Sequence, residues 1–418
     1  MTAAPADKPI ALGDARRLVL ERVSPLGAEP VPLREALGRI LAVDVESADP
    51  VPGFDNSSMD GFAVRAEDTR GAAPGGPVIL TVADESRAGR PALSPLHRGE
   101  AIGISTGAVI PDGADSVVRI EDTSVRDGSV EIEAEVKPGT NVRHAGDDIE
   151  PGATVLRHGV RIGAAELGVL ASVGTASVSC IRRPRLAVLT TGDELLEPGA
   201  PGKPGGVRNS NAYTIPALAL SAGAELVATE TVTDDPDLTR AAIERMLDAE
   251  LVVVCGGVSV GGHDHVKEAF ASLGVERVFW RVALKPGKPT WFGVAQQGAL
   301  VFGLPGNPVS AMVTFLLFAR PAITRMSAAE DSEERVQATL DRDLPRAPGR
   351  AHAVRCRLEA RDDGWHARPT GDQDSHVLTS MLDAEALAIV PADSDPSRAG
   401  DTVELMLLPA DWGLASLR

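Results

Sequence analysis

Apolar positions at Ala15, Leu18 and Val19, followed by Arg22, keep the 3.6-residue spacing of a helix, and Leu33, Leu37 and Leu41 repeat it. Gly27, Pro30 and Pro32 separate the two, so residues 10–50 read as helix, loop, helix. From Pro50 to about Gly139 short apolar runs (Val78–Val82, Ala101–Ile104, Ser116–Ile120, Val130–Val136) alternate with Gly, Pro and Asp turns, the pattern of an all-β module. Residues 140–180 are mixed, with a helix expected at Ala164–Val173, and resemble 10–50 more than the β module. The expectation is a discontinuous helical or mixed domain (8–50 and 140–180) carrying an inserted β module at 51–139.

From Arg185 the pattern becomes strand, loop, helix. The apolar run Leu186–Thr190 precedes Thr191-Gly192-Asp193-Glu194, and a helix starts at Ser210 or Asn211 and ends before Gly223. The strand Glu225–Thr231 leads to Asp234-Asp235-Pro236, an N-cap with proline at the first helical position. The run Leu251–Cys255 opens into a glycine-rich loop at 256–262, then a helix at His265–Leu273. Strands follow at Val278–Val282, Thr290–Val294 and Leu300–Phe302, and a helix at Val309–Ala319 behind Asn307 and Pro308. This alternation predicts an open, mostly parallel α/β sheet over 181–328. Residues 335–418 return to short strands and predict a small C-terminal β-barrel or sandwich, of which the barrel is taken. The fold class is thus multidomain α/β plus β.

Composition narrows the function. The chain has 418 residues, 41 Lys+Arg and 59 Asp+Glu, a formal net charge of −18. That balance argues against a nucleic-acid or anionic-membrane binder. Cys180, Cys255 and Cys356 lie far apart without a C-x-x-C pair, which excludes a disulfide framework and a thiolate zinc site. No signal-like apolar core precedes residue 10, and the apolar stretch Ala299–Ala319 is broken by Pro305-Gly306-Asn307-Pro308, whereas a spanning helix needs roughly 20 unbroken apolar residues. A cytoplasmic protein is expected. Six lysines stand among mostly arginine cations, and two of them lie in Lys285-Pro286-Gly287-Lys288, where a compact point charge is indicated.

In open α/β sheets ligands bind beyond the carboxyl ends of the strands. The loops there carry Thr191–Glu194, Asp234-Asp235, Gly256–Asp264, Lys285–Lys288 and Leu304–Pro308. Glycine-rich backbone and lysines suit an anion, and carboxylates beside an anion need a bridging cation such as magnesium. The reading is a phosphorylated or oxyanionic ligand with a hard metal. Neither a Walker loop nor a dinucleotide fingerprint is present. Gly257-Val258-Ser259-Val260-Gly261 matches a G-x-S-x-G nucleophile elbow, but the downstream Asp362/His366 and Asp372/His376 fall in the C-terminal β region, so a hydrolase is the lesser reading.

Taken together the motifs resemble the molybdopterin molybdenumtransferases, the bacterial MoeA proteins and the gephyrin E domain. They are N-S-S-M-D-G-F-A-V (56–64), S-T-G-A-V-I-P (105–111), G-D-D-I (146–149), T-T-G-D-E-L (190–195), G-G-V-S-V-G-x-x-D (256–264), K-P-G-K-P (285–289) and G-L-P-G-N-P-V-S-A (303–311). P-G-R (348–350), Arg355 and S-H (375–376) complete the series in family order. The resemblance implies a four-domain elongated homodimer acting with other proteins of molybdenum-cofactor synthesis. Its implied reaction is magnesium-dependent transfer of molybdate to adenylylated molybdopterin with release of AMP. It implies Glu194, Asp234 and Asp264 as magnesium ligands and Lys285 and Lys288 as neutralising cations. Gly256, Gly257, Gly261 and Gly262 would admit the ligand to the backbone, with Ser259 as a hydrogen-bonding participant. Pro305, Gly306, Asn307 and Pro308 would shape the next loop. Asp60, Thr106 and Asp148 carry over from the β-module side, and Arg355 and Ser375 from the C-terminal domain. A tungstate-inserting or binding-only paralogue, a scaffold and an ATP-using adenylyltransferase are the competing readings.

Overall fold

A computed structural model describes residues 8–258, 265–329 and 334–409. The chain divides into two compact units. One comprises the residues up to 29, 38–40 and those from 180 onward; the other comprises 30–37 and 41–179.

The first unit begins with helix α1 (Leu12–Leu20), which buries Ala15 and Val19. The chain returns to this unit with β1 (Arg185–Thr191), α2 (Asn211–Ser221), β2 (Glu225–Val232), α3 (Pro236–Met246), β3 (Leu251–Cys255), α4 (Val266–Ser272) and β4 (Glu276–Trp280). It continues with β5 (Leu284–Lys285), β6 (Trp291–Val294), β7 (Leu300–Leu304) and the long helix α5 (Pro308–Met326). The sheet order is β2-β1-β3-β7-β6-β4, with the first four strands parallel and β6 and β4 antiparallel. Buried parallel strands need apolar side chains on both faces, and these have them. Leu186, Val188, Leu251 and Val253 face one core with α1, α2 and α5; Ala187, Leu189, Val252 and Val254 face the other with α3 and α4.

Helix α5 is longer than the sequence pattern predicts. It extends to Met326 through a π turn at Phe315–Ala319, just before Pro321. A wider turn absorbs the i−4 bond that proline cannot make. Pro308–Met326 is long and apolar enough to cross a membrane, yet 83% of the qualifying window is buried inside the protein. It is the core helix of this unit.

Strands β8 (Arg335–Leu340), β9 (Ala351–Arg361), β10 (Gly364–Pro369), β11 (Ala386–Val390) and β12 (Thr402–Leu407) close in the order β9-β10-β8-β12-β11-β9, a five-stranded form of the small barrel expected from the sequence. Strand β5 adds to its edge by parallel pairing with β9. Ala353, Met381, Leu387 and Met406 pack into the same core as α5, which fixes the barrel against the sheet.

The second unit holds a six-stranded sheet in the order Ser116–Arg119, Gly61–Val64, Glu100–Ile104, Val78–Ser86, Ser129–Ile132, Thr123–Arg126. Residues 33–41 are not the expected second helix. A short 3-10 turn at Leu33–Glu35 ends at Ala36, Leu37 is exposed, and Gly38 adopts φ +74°. A left-handed glycine inside the run, Gly38, defeats the leucine spacing. Helix α1 packs with the first unit, and Leu26 N–H donates to Met326 O at 2.8 Å. The strand Val45–Glu46, by contrast, pairs with Thr154–Leu156, so part of 30–50 does join the 140–180 stretch.

Candidate functional site

The loops after β1 and β2 are tied to each other. Thr191 Oγ1 donates to Asp234 Oδ1 at 2.8 Å, Asp234 N–H donates to Asp193 Oδ1 at 3.2 Å, and Asp193 N–H donates to Asp234 Oδ2 at 3.4 Å. The two aspartates of the 234–235 pair therefore differ in role. Asp235 caps α3, its Oδ1 accepting from Leu238 N–H at 2.8 Å, while Asp234 turns toward the end of β1. Glu194 is exposed, and its carboxylate lies against Gly192, where any Cβ would stand 2.6 Å from Oε2.

A cavity of about 390 Å³ opens at the carboxyl ends of these strands. Glu194, Asn211, Gly257, Pro289, Asn307 and Pro308 are among its lining residues. Gly256 and Gly257 have φ +99° and +61°, and a Cβ on them would meet Thr191 O at 2.6 Å and Val266 Cγ2 at 2.4 Å. Packing of the loop on its own sheet demands glycine there, before any ligand is considered. The start of α2 is locked by a polar network. Buried Asn209 donates to Thr190 Oγ1 at 2.8 Å and Thr231 Oγ1 at 3.0 Å, and its Oδ1 accepts from Ala212 N–H at 3.2 Å. Asn211 Nδ2 donates to Gly306 O at 2.8 Å, joining α2 to the Pro305–Pro308 loop. Asn307 occupies the N-cap position of α5 without a capping bond; its Nδ2 donates instead to Ser375 Oγ at 2.8 Å.

Lys285 lies on β5 and Lys288 in the turn that follows; neither side chain has a hydrogen bond or ion pair among the described residues. Arg355 is fully buried. Its Nε and one terminal nitrogen donate to Ser380 Oγ, and its terminal nitrogens also reach the carbonyls of Asp372, Gln373 and Asp374 at 3.2–3.4 Å. Burial pulls the guanidinium down to about 10. The loop that carries Ser375 is thus folded around Arg355. Cys255 is buried at the end of β3, and burial pushes its thiol up to about 12, so it behaves as a small apolar residue and not as a nucleophile.

In the second unit two of the quoted motifs meet, and the residues just before the third, 142–145, join the first and its neighbour Asp55. Asp60 Oδ1 accepts from Thr106 N–H at 2.7 Å and Thr106 Oγ1 at 3.1 Å. Gly107 N–H donates to Ser57 O, and Asn56-Ser57 pairs with Val142-Arg143. Asp55 accepts from Ala145 N–H at 2.8 Å and bonds His144 Nδ1 at 3.1 Å, and these bonds hold its carboxyl below the usual range. Asp147 Oδ2 accepts from His144 N–H at 2.7 Å, a local turn, whereas Asp148 is exposed. Phe54 and Met59 also stay exposed at this end.

Ser259, Gly261, Gly262 and Asp264 lie outside the described residues. His366 pairs with Asp341 and Asp363 on the barrel surface. Among the described residues no group of three or more His, Cys, Asp or Glu forms a metal cage. Magnesium takes one or two carboxylates and completes its shell with water and phosphate oxygens. The exposed Glu194 and the half-buried Asp234 fit that requirement.

Residues 10–174 match the MoeA N-terminal region (domain I and II), 187–325 the probable molybdopterin binding domain, and 337–408 the MoeA C-terminal region (domain IV). The chain is 37% identical over 403 residues to molybdopterin molybdenumtransferase 2 of Mycobacterium tuberculosis, covering 93% of this chain and 97% of that protein. It belongs to the molybdopterin molybdenumtransferase family. The Haemophilus influenzae molybdopterin molybdenumtransferase is 34% identical over 402 residues, covering 95% and 98% of the two chains. A crystal structure of the molybdopterin biosynthesis MoeA protein of Pyrococcus horikoshii superposes with a TM-score of 0.79 at 34% identity, covering 96% and 99%. This chain is accordingly an enzyme of that transferase family. Asn209, Asn211 and Pro289 also contribute to its cavity or its walls. Pro289 had a signal, since it closes the Lys-Pro-Gly-Lys-Pro motif; the asparagines had only their position at a helix start.

Proposed function

We propose that this enzyme transfers molybdate to adenylylated molybdopterin, releasing AMP and giving molybdenum cofactor, with magnesium required. The observation that carries the reading is a cavity at the strand ends lined by the Glu194 carboxylate and by Pro289, the residue after Lys288; among the described residues the side chains of Lys285 and Lys288 have no hydrogen-bond or ion-pair partner. Tetrahedral oxyanions and phosphates are bound by such cations and by backbone N–H groups. Cleavage of a phosphate–phosphate linkage calls for charge neutralisation more than for a covalent nucleophile.

In this reading Lys285 and Lys288 hold molybdate or phosphate oxygens. Glu194, Asp234 and Asp264 would hold magnesium, which when bound adds positive charge at the phosphates. Ser259 and Gly256, Gly257, Gly261 and Gly262 present backbone or hydroxyl donors. Pro305–Pro308 shape one wall, with Ser375 held on Asn307 and Arg355 supporting the Ser375 loop. Asp60, Thr106 and Asp148, in the second unit, are further functional residues of this reading. A homodimer, pathway partners and a cytoplasmic location are part of the proposal; the free, buried state of Cys180, Cys255 and Cys356 accords with a reducing compartment.

Lys285→Ala and Asp264→Ala are expected to abolish molybdate-dependent turnover while the melting temperature and the mass in solution stay those of the parent. Near-normal turnover in either variant, at matched folding, contradicts the site assignment.

A further inference from the structure

His352 sits beside Lys285. In the parallel pairing of β5 with β9 the two residues are in register, so their side chains share a face of the sheet edge. His352 is completely buried. Its Nδ1 lies 2.8 Å from Pro345 O. A carbonyl only accepts, so Nδ1 carries the proton and Nε2 presents a lone pair. That Nε2 is buried and has no hydrogen-bond partner. An acceptor left unmade in a protein interior is destabilising, and its presence asks for a donor.

Three cations act on this imidazole: Lys285, Arg355 and Arg350. Arg355 has its N–H groups directed at Ser380 and the carbonyls of 372–374. Lys285 is half-buried, shares the register, exerts the largest charge effect of the three, and is unpartnered among the described residues. Burial together with these charges keeps the ring neutral, which preserves the lone pair across the physiological range.

We infer that His352 is a positioning residue for Lys285: its Nε2, unpaired in this structure, takes one ammonium N–H once the lysine head turns onto it, leaving the other two N–H for the bound oxyanion. A lysine on a four-carbon stem is otherwise free to rotate, and restraint of its head lowers the entropy lost on anion binding. The inference rests on the proposed role of Lys285 as an oxyanion-binding cation.

The test is a double-mutant cycle with molybdate itself as the probe, read by isothermal titration and by the KM for molybdate against kcat. His352→Leu is expected to weaken molybdate about tenfold in the Lys285 parent and to have no further effect in Lys285→Ala. His352→Gln, which keeps an acceptor, restores at least half of that loss on the logarithmic scale. Additive effects of the two substitutions, or unchanged molybdate affinity in folded His352→Leu, overturn the inference. If Lys285→Ala alone leaves molybdate affinity unchanged, the oxyanion reading of Lys285 fails first. Histidine ring nitrogen-15 spectra of the unmutated enzyme give an independent readout: a hydrogen-bonded Nε2 supports the pairing, and a free lone pair contradicts it.

Discussion

Asn307 Nδ2 donates to Ser375 Oγ at 2.8 Å and so joins the loop after β7 to the loop that leaves β10. Asn307 stands where a helix cap is expected, but its side chain is used for this bridge. Neither residue is buried, so the bond adds little to global stability. Its effect falls on where the hydroxyl sits. Ser375→Ala is expected to change unfolding free energy by less than about 0.5 kcal/mol and to lower kcat/KM about tenfold, roughly 1.4 kcal/mol of transition-state stabilisation. Urea unfolding and steady-state kinetics on one preparation check both halves.

Arg355 holds the same loop from beneath. Arg355→Met keeps the volume but leaves the carbonyls of 372–374 and the Ser380 hydroxyl without their donors. Unsatisfied buried groups of this kind destabilise by about 1–3 kcal/mol each, so a loss of about 3 kcal/mol is expected after relaxation. Arg355→Lys does not restore it, because an ammonium lacks the planar fork. An unfolding midpoint equal to that of the parent in either variant contradicts the strut role.

Gly61 adjoins Asp60 and has φ +158°, and a Cβ there would stand 1.9 Å from Val118 O. Backbone cannot yield as a side chain can. Gly61→Ala is expected to destabilise the second unit by at least about 2 kcal/mol. Limited proteolysis checks this: faster cleavage is predicted within 41–179.

His352 makes stability depend on pH. Burial, the principal cause, depresses its folded-state value from 6.5 to about 4. The unfolded chain therefore binds a proton that the folded chain refuses as pH falls below about 6.5. Stability is full above that value and declines toward about pH 4, by up to roughly 3 kcal/mol. His352→Leu should flatten this part of the profile. An unchanged slope between pH 6.5 and 4 would show that other groups dominate.

The sheet was legible from the sequence because its strands are fully buried and its helices carry strong start signals. Leu251–Cys255 reads as a continuous apolar run, and Asp235-Pro236 marks α3 with little ambiguity. The barrel was legible through its evenly spaced short strands. Residues 33–41 misled because leucine spacing says nothing of the left-handed backbone at Gly38 inside the run. In the site, residues in dense motifs were visible: Glu194, Gly257 and Asn307 line the cavity. Asn209, Asn211 and His352 were not, since each acts through contacts with strands or loops distant in sequence. The burial of Arg355 was equally invisible, because a charged residue in a strand carries no mark of which way it points.

The most direct measurement is AMP release from adenylylated molybdopterin by the purified enzyme with magnesium, with and without molybdate. The account predicts release that depends on molybdate and disappears in Lys285→Ala. Release that ignores molybdate, or intact ligand binding without any release, contradicts it.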